Sequence, residues 1–169
     1  MNKINCTLLA CLLVGCQSSP AKMETAPSRT KHVIILCTGN SCRSQMAEAF
    51  WKKYANGKWE AVSAGTHPKD HVYPLAVRAM AEKGIDIGAN KPKDVKAYTD
   101  QRFDLVITVC SDAERECPHF ANAAKHLHWP FDGPPKATGT DEQRMRVCRR
   151  VRDEIESKVK QFMNSQSGY

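Results

Sequence analysis

Between positions 37 and 44 the chain reads Cys37-Thr38-Gly39-Asn40-Ser41-Cys42-Arg43-Ser44: a thiol, five residues, a guanidinium and a hydroxyl. This pattern suits the attack of a thiolate on a tetrahedral oxyanion. A loop that opens a helix aims several backbone N–H groups at one point, and the helix dipole adds positive potential there. Arg43 offers a planar fork that can hold two oxygens of the anion. Cys37 stands in the same field, which favours its thiolate, the nucleophilic form. Gly39 permits close backbone approach, and Ser44 is placed to hydrogen-bond the thiolate. Thr38, Gly39, Asn40, Ser41, Cys42 and Arg43 form the expected oxyanion cradle. Cys-x5-Arg alone is a weak pattern. Only Cys37 of the eight cysteines satisfies it, and its weight comes from the elements around it.

Those elements can be read from hydrophobic spacing. HVIILC (32–37) is a short β-branched run, read as a buried strand that delivers Cys37. Met46, Ala47, Phe50, Trp51 and Tyr54 then recur at helical spacing, and Asn56-Gly57 ends that helix. WEAVSAG (59–65) reads as a second strand, 75–83 as a helix stopped by Gly84, FDLVITVC (103–110) as a third strand and KHLHW (125–129) as a fourth. His126 and His128 alternate around Leu127 as strand positions do, and no metal is assigned to them. Thr140-Asp141-Glu142-Gln143 is a capping box. Met145, Cys148, Val151, Ile155, Val159 and Phe162 mark the buried stripe of a long terminal helix, with Cys148 a core residue. Strands alternating with helices predict an α/β fold around a four-stranded parallel sheet.

A length of 169 residues suits one domain with a short extension, and no apolar run reaches the ~18 residues of a spanning helix. Nine Gly and nine Pro exclude collagen-like and low-complexity chains. The charge of +7 favours anionic partners, which the loop narrows to a phosphate-like oxyanion; no nucleic-acid partner is expected.

The block CTGNSCRSQMAEAF (37–50) closely resembles the phosphate loop of thioredoxin-coupled arsenate reductases, which share the fold of low-molecular-weight protein tyrosine phosphatases. The likeness runs from about Lys31 to Phe162, and AVSAG (61–65), DLVITVCSDAERECP (104–118), HWPFDGP (128–134) and RVRDEI (150–155) agree with it. The Cys-x6-Cys pair, Cys110 and Cys117, separates the reductases from the phosphatases. The resemblance implies a three-layer sandwich, an arsenate site made by Arg43 and the loop amides, and three working cysteines. Cys37 is then the nucleophile, Cys110 resolves the arsenic adduct, and Cys117 completes an exported disulfide. It further implies no bound cofactor or metal, an external thioredoxin-like reductant, and a monomer.

The relay is also sound as chemistry. Attack of Cys37 on arsenic(V) makes a thiolate–arsenate adduct, and release of arsenic(III) needs a second thiol. Cys110, at the end of a neighbouring parallel strand, shares an edge with Cys37. Cys117, in the polar segment SDAEREC, then moves the disulfide to a mobile surface. Other readings of these residues compete with it. Cys110 and Cys117 suit a stable structural disulfide, and Cys37, Cys42, Cys110 and Cys117 a poor zinc site. The same loop suits a phosphatase acting on phosphate monoesters, or a lipid-anchored oxyanion-binding module without turnover.

One departure from the superfamily pattern matters. A loop Asp immediately before Pro acts there as general acid, whereas this chain reads Phe131-Asp132-Gly133-Pro134. Asp132 is therefore a candidate acid and equally a D-G turn residue. Glu48, Asn40 and Ser63 match positions that hold potassium in some reductases, and ordinary hydrogen bonding is the preferred reading.

Ahead of the domain (32–165), residues 1–15 read as an export signal, with Lys3, an apolar run, and Leu13-Val14-Gly15-Cys16 resembling a lipobox. Cys16 is the expected lipidation site, 16–31 a polar tether, and the cell envelope the expected location, the membrane being met only through that anchor. A start at Met23 is the alternative, and it would place the protein in the cytoplasm.

Overall fold

The computed structural model describes residues 29–118 and 120–166. The signal, Cys16 and Met23 lie outside the described residues. Four strands, β1 (Lys31–Cys37), β2 (Trp59–Gly65), β3 (Leu105–Thr108) and β4 (His126–His128), pair in parallel in the order β2-β1-β3-β4. The helices are α1 (Arg43–Tyr54), α2 (Pro74–Ala81), α3 (Ser111–Glu116) and α4 (Asp141–Ser165). The chain leaves β1 for one neighbour and later returns to its other side. That reversal makes a crevice at the carboxyl ends of β1 and β3, where ligands of open α/β sheets bind.

Alternate residues of β1 serve opposite faces. Val33, Ile35 and Cys37 join a core with Met46, Phe50 and Trp51 of α1 and Val151, Ile155 and Val159 of α4. Ile34 and Leu36 face a second core with Val95, Phe103, Val106 and Phe120. That face is closed by a short 3-10 turn (Val95–Tyr98) and loop residues, so one outer layer of the sandwich is thin. Val33 to Leu36 are fully buried, which explains their unbroken apolar character.

The expected elements form, with three differences at their edges. The third strand pairs only over Leu105–Thr108; Val109 N–H still donates to Leu36 O at 2.8 Å, and Cys110 is already the N-cap of α3. The second helix ends at Ala81, ahead of Gly84 at φ 69°. The polar segment after Cys110 is a helix, α3, where sequence suggested a mobile surface. The capping box holds: Thr140 Oγ1 accepts from Gln143 N–H, and Gln143 Oε1 accepts from Thr140 N–H at 2.7 Å. Both His126 and His128 are exposed, with Leu127 half-buried between them.

Candidate active site

Residues 38–42 connect β1 to α1, and their backbone direction is set by a neighbouring segment. The carbonyls of Thr38, Gly39 and Ser41 accept from the N–H groups of His67, Lys69 and Tyr73 at 2.8, 2.9 and 2.7 Å. With these carbonyls engaged, the Asn40 N–H is turned to the Cys37 sulfur. Asn40 adopts φ 44°, a left-handed conformation that Asn tolerates better than most residues. Gly65 ends β2 directly against the loop. A Cβ there would stand 2.6 Å from Thr38 O and 2.9 Å from Asn40 N, so glycine is required. α1 begins with no acidic residue in its first turn and no side-chain cap, leaving its N-terminal field open to an anion.

Cys37 is 3% exposed at the floor of this cradle. Asn40 N–H donates to Cys37 Sγ at 3.2 Å, and Ser44 Oγ lies 2.9 Å from the same sulfur. The polarity of that second contact follows from its surroundings. Lys93 N–H donates to Asn40 Oδ1 at 2.7 Å, so the other end of the amide is the donor. Asn40 Nδ2 then donates to Ser44 Oγ at 2.9 Å and Ser63 Oγ at 2.8 Å. The Ser63 hydroxyl donates to Glu48 Oε2 at 2.5 Å. Ser44, already accepting, directs its proton at the Cys37 sulfur.

Glu48, Asn40 and Ser63 are thus occupied with one another. Burial works to raise the Glu48 carboxyl, yet hydrogen bonds from Lys52 and Ser63, with the charge of Lys93, hold it below the usual range. Lys52 Nζ and Lys93 Nζ lie 2.5 and 3.2 Å from it. Among the described residues no group of three or more His, Cys, Asp or Glu is placed to hold a metal.

Above the sulfur lies a cavity of about 240 Å³, lined by the loop and by Lys69, Asp112, Gly133, Pro135 and Lys136. Arg43 Nη1 donates to Phe131 O at 3.0 Å, which anchors the guanidinium at the rim. Sequence reasoning did not find Asp112, Lys69 or Lys136. They come from three separate loops and helices, and only Asp112, two residues after Cys110, carried a local signal. Asp132, the candidate acid, is turned elsewhere: Arg150 Nη2 donates to its Oδ2 at 2.6 Å, and its side chain is 69% exposed.

Cys110 sits at the mouth of the neighbouring strand, 3% exposed, with Thr38 Oγ1 3.5 Å from its sulfur. It belongs to the same core as Cys37 and Cys42. Cys117 is half-buried and packs against the core on the opposite face of the sheet. Burial, followed by the Glu114 charge, pushes its thiol up to about 11. α3 separates the two, and all five described cysteines are free thiols. Cys42 and Cys148 are buried, and that burial pushes the Cys42 thiol well above its ordinary value and the Cys148 thiol up to about 11. Three carboxylates pin α3. Asp112 pairs with Arg115 and Lys136, and Glu114 with the Thr108 hydroxyl and His128. Glu116 accepts from the Thr66 hydroxyl at 2.9 Å and pairs with His67.

Residues 32–167 match the family described as low molecular weight phosphotyrosine protein phosphatase. The arsenate reductase of Halalkalibacterium halodurans is 47% identical over 132 residues, 78% of this chain and 94% of that protein. That of Bacillus subtilis is 43% identical over the same shares. A solved structure described as an arsenate reductase in the phosphate binding state superposes with a TM-score of 0.68. It is 31% identical, over 80% of this chain and 98% of that one. Loop, sheet order and sequence agree, and the chain belongs to the low molecular weight phosphotyrosine protein phosphatase family, on its arsenate reductase branch.

Proposed function

We propose that the protein reduces arsenate to arsenite through Cys37, Cys110 and Cys117, and that a thioredoxin-like protein re-reduces it. The observation that carries this reading is that Cys37 lies under an anion cavity while Cys110, at the end of the neighbouring strand, has its sulfur 3.5 Å from Oγ1 of Thr38, the residue next to Cys37. The arsenate reductase names of relatives at 40–47% identity supply the substrate.

Arsenate enters the cavity, its oxygens taken by the loop N–H groups and the Arg43 fork. Cys37 Sγ attacks arsenic, and one oxygen leaves as water. Cys110 Sγ then attacks Cys37 Sγ. The S–As bond breaks, its electron pair stays on arsenic, and arsenite departs from a Cys37–Cys110 disulfide. Cys117 Sγ attacks Cys110 Sγ, freeing Cys37 and leaving Cys110–Cys117 for the reductant. In this last step α3 must open. Cys110 and Cys117 flank six helical residues, about 10 Å along a helix axis, whereas a disulfide needs Cα atoms within ~7 Å. Opening also takes Cys117 out of the burial that holds its thiol up.

The reading extends to place and assembly: a monomer, lipidated at Cys16 and held at the envelope by residues 16–31. A phosphatase of this fold shares the loop, but the site lacks the acid that ester cleavage calls for. The deciding test supplies the reduced protein with arsenate, a thioredoxin, its reductase and NADPH, and follows arsenite and NADPH oxidation. Stoichiometric arsenite is expected; none at all would refute the reading.

A further inference from the structure

The cavity above Cys37 is rich in donors of fixed charge and poor in donors of protons. Among the described residues lining it, Asp112 is the one carboxyl group. Arg115 at 2.5 Å and Lys136 at 3.5 Å hold that carboxyl below its usual range, so it is ionised near neutrality. Asp132 is engaged with Arg150 on the exterior. The position facing the guanidinium is Gly133, where a Cβ would stand 3.8 Å from Arg43 Nη2 and 3.5 Å from the Lys136 side chain. Its φ of −91° and ψ of 92° are open to any residue, and those distances are ordinary contacts. Neither backbone nor space demands glycine here. A side chain that would reach the leaving group is simply missing.

We propose that Gly133 sets substrate class by leaving the site without a leaving-group acid. Cys37 is thereby restricted to oxyanions that protonate their own departing oxygen, and to esters whose leaving group departs as a stable anion. The first half of this rests on the arsenate reading; the second stands on the site alone. With arsenate, the S–As bond forms, an As–O bond breaks, and a second As–OH of the same ion supplies the proton, so water leaves. With a phosphate monoester, the S–P bond forms and the ester P–O bond breaks. The departing alkoxide keeps the electron pair and finds no acid. An ammonium group is in general a weaker acid than a carboxyl by about six pK units. A positioned general acid contributes about 10²–10⁴-fold.

The test compares the reduced full chain, Gly133→Asp and Gly133→Asn on para-nitrophenyl phosphate and phenyl phosphate, with inorganic phosphate binding as the check on the loop. The natural chain is expected to hydrolyse the phenyl ester roughly 10²-fold more slowly than the nitrophenyl ester. Gly133→Asp narrows that gap by about tenfold or more, and Gly133→Asn, which carries no acidic proton, does not. Ester turnover that appears only in Gly133→Asp supports the proposal equally. A natural chain with nearly equal rates on both esters overturns it, because some other group then donates the proton. So does a Gly133→Asp variant that binds phosphate normally and leaves the gap unchanged or shows no turnover. Should Gly133→Asp fail to bind phosphate, the gap in the natural chain decides. Arsenite release is measured separately, so its failure sinks the reductase reading and leaves the ester series standing.

Discussion

Ser44 Oγ stands 2.9 Å from the sulfur of Cys37, and the network around it, which begins outside the loop, orients its hydroxyl to donate a hydrogen bond there. The direction starts at Lys93 N–H, passes through the Asn40 amide and ends at the Ser44 hydroxyl. Ser44→Ala is expected to lower kcat by about 10–100-fold, the worth of a hydrogen bond to a charged group, with the fold intact. Single-turnover arsenate kinetics on the two enzymes, with inorganic phosphate binding as the check on the loop, would measure the loss.

Cys37→Ser should reduce arsenate turnover by roughly 10³-fold or more and leave inorganic phosphate bound. Arg43→Lys should cost about 10²-fold, because an ammonium on the Phe131 carbonyl does not span two oxyanion oxygens. Calorimetric phosphate titration beside arsenite release separates the two effects. A Cys37→Ser enzyme with near-normal turnover would remove the nucleophile from the mechanism.

The relay makes a structural prediction as well as a chemical one. Cys117→Ser should complete one turnover and stall as a Cys37–Cys110 disulfide with α3 still protected from amide exchange. The natural chain, oxidised by arsenate without reductant, should carry Cys110–Cys117 and lose protection over Ser111–Glu116. Peptide mapping and hydrogen exchange on the same samples decide it. A Cys110–Cys117 bond present before arsenate, and resistant to thioredoxin, would support a structural disulfide instead.

At the far end of the molecule, Glu156 accepts from Tyr54 at 2.5 Å and pairs with Lys83 and Lys160 at 3.0 and 2.9 Å. Burial works to raise its carboxyl, but these partners hold it at about 2, below the ordinary 4.5. The folded value is the lower one, so the stabilisation is present above pH 4.5 and lost as pH falls toward about 2. Glu156→Gln should cost about 1–2 kcal/mol at neutral pH and nothing at the acid end of that window. Urea unfolding across the range measures it.

For location, the natural chain should fractionate with membranes and Cys16→Ala should not, with mass spectrometry of the native N-terminus showing an acylated Cys16. A soluble, unmodified chain beginning at Met23 would refute the envelope assignment and leave the chemistry unchanged.

What was legible in the sequence followed the range of the forces involved. β2 is legible to the residue because its apolar run is bounded by Gly57-Lys58 and Gly65, and the existence of α4 because its stripe from Met145 to Phe162 follows a capping box. The anion loop was legible because its chemistry is contiguous. α3 was not: five charged and polar residues around the single Ala113 leave no periodicity to read, and the helix is held by Thr66, His67, Thr108, His128 and Lys136 from elsewhere. Asp132 was unassignable for a similar reason, since its partner Arg150 arrives on a helix eighteen residues later.

The seating of Cys117 on the opposite face of the sheet from Cys110 has a thermodynamic consequence. On the proposed relay, closing a Cys110–Cys117 disulfide would dissolve α3 and uncover part of a core, and reduction would restore both. Whatever free energy that reordering releases is added to the affinity of the protein for electrons, at about 30 mV for each 1.4 kcal/mol. The disulfide is thereby a stronger oxidant than one closed between two cysteines on a slack chain. Electrons from the proposed thioredoxin-like donor would then run downhill into it, and ambient oxidants would find the resting dithiol harder to close.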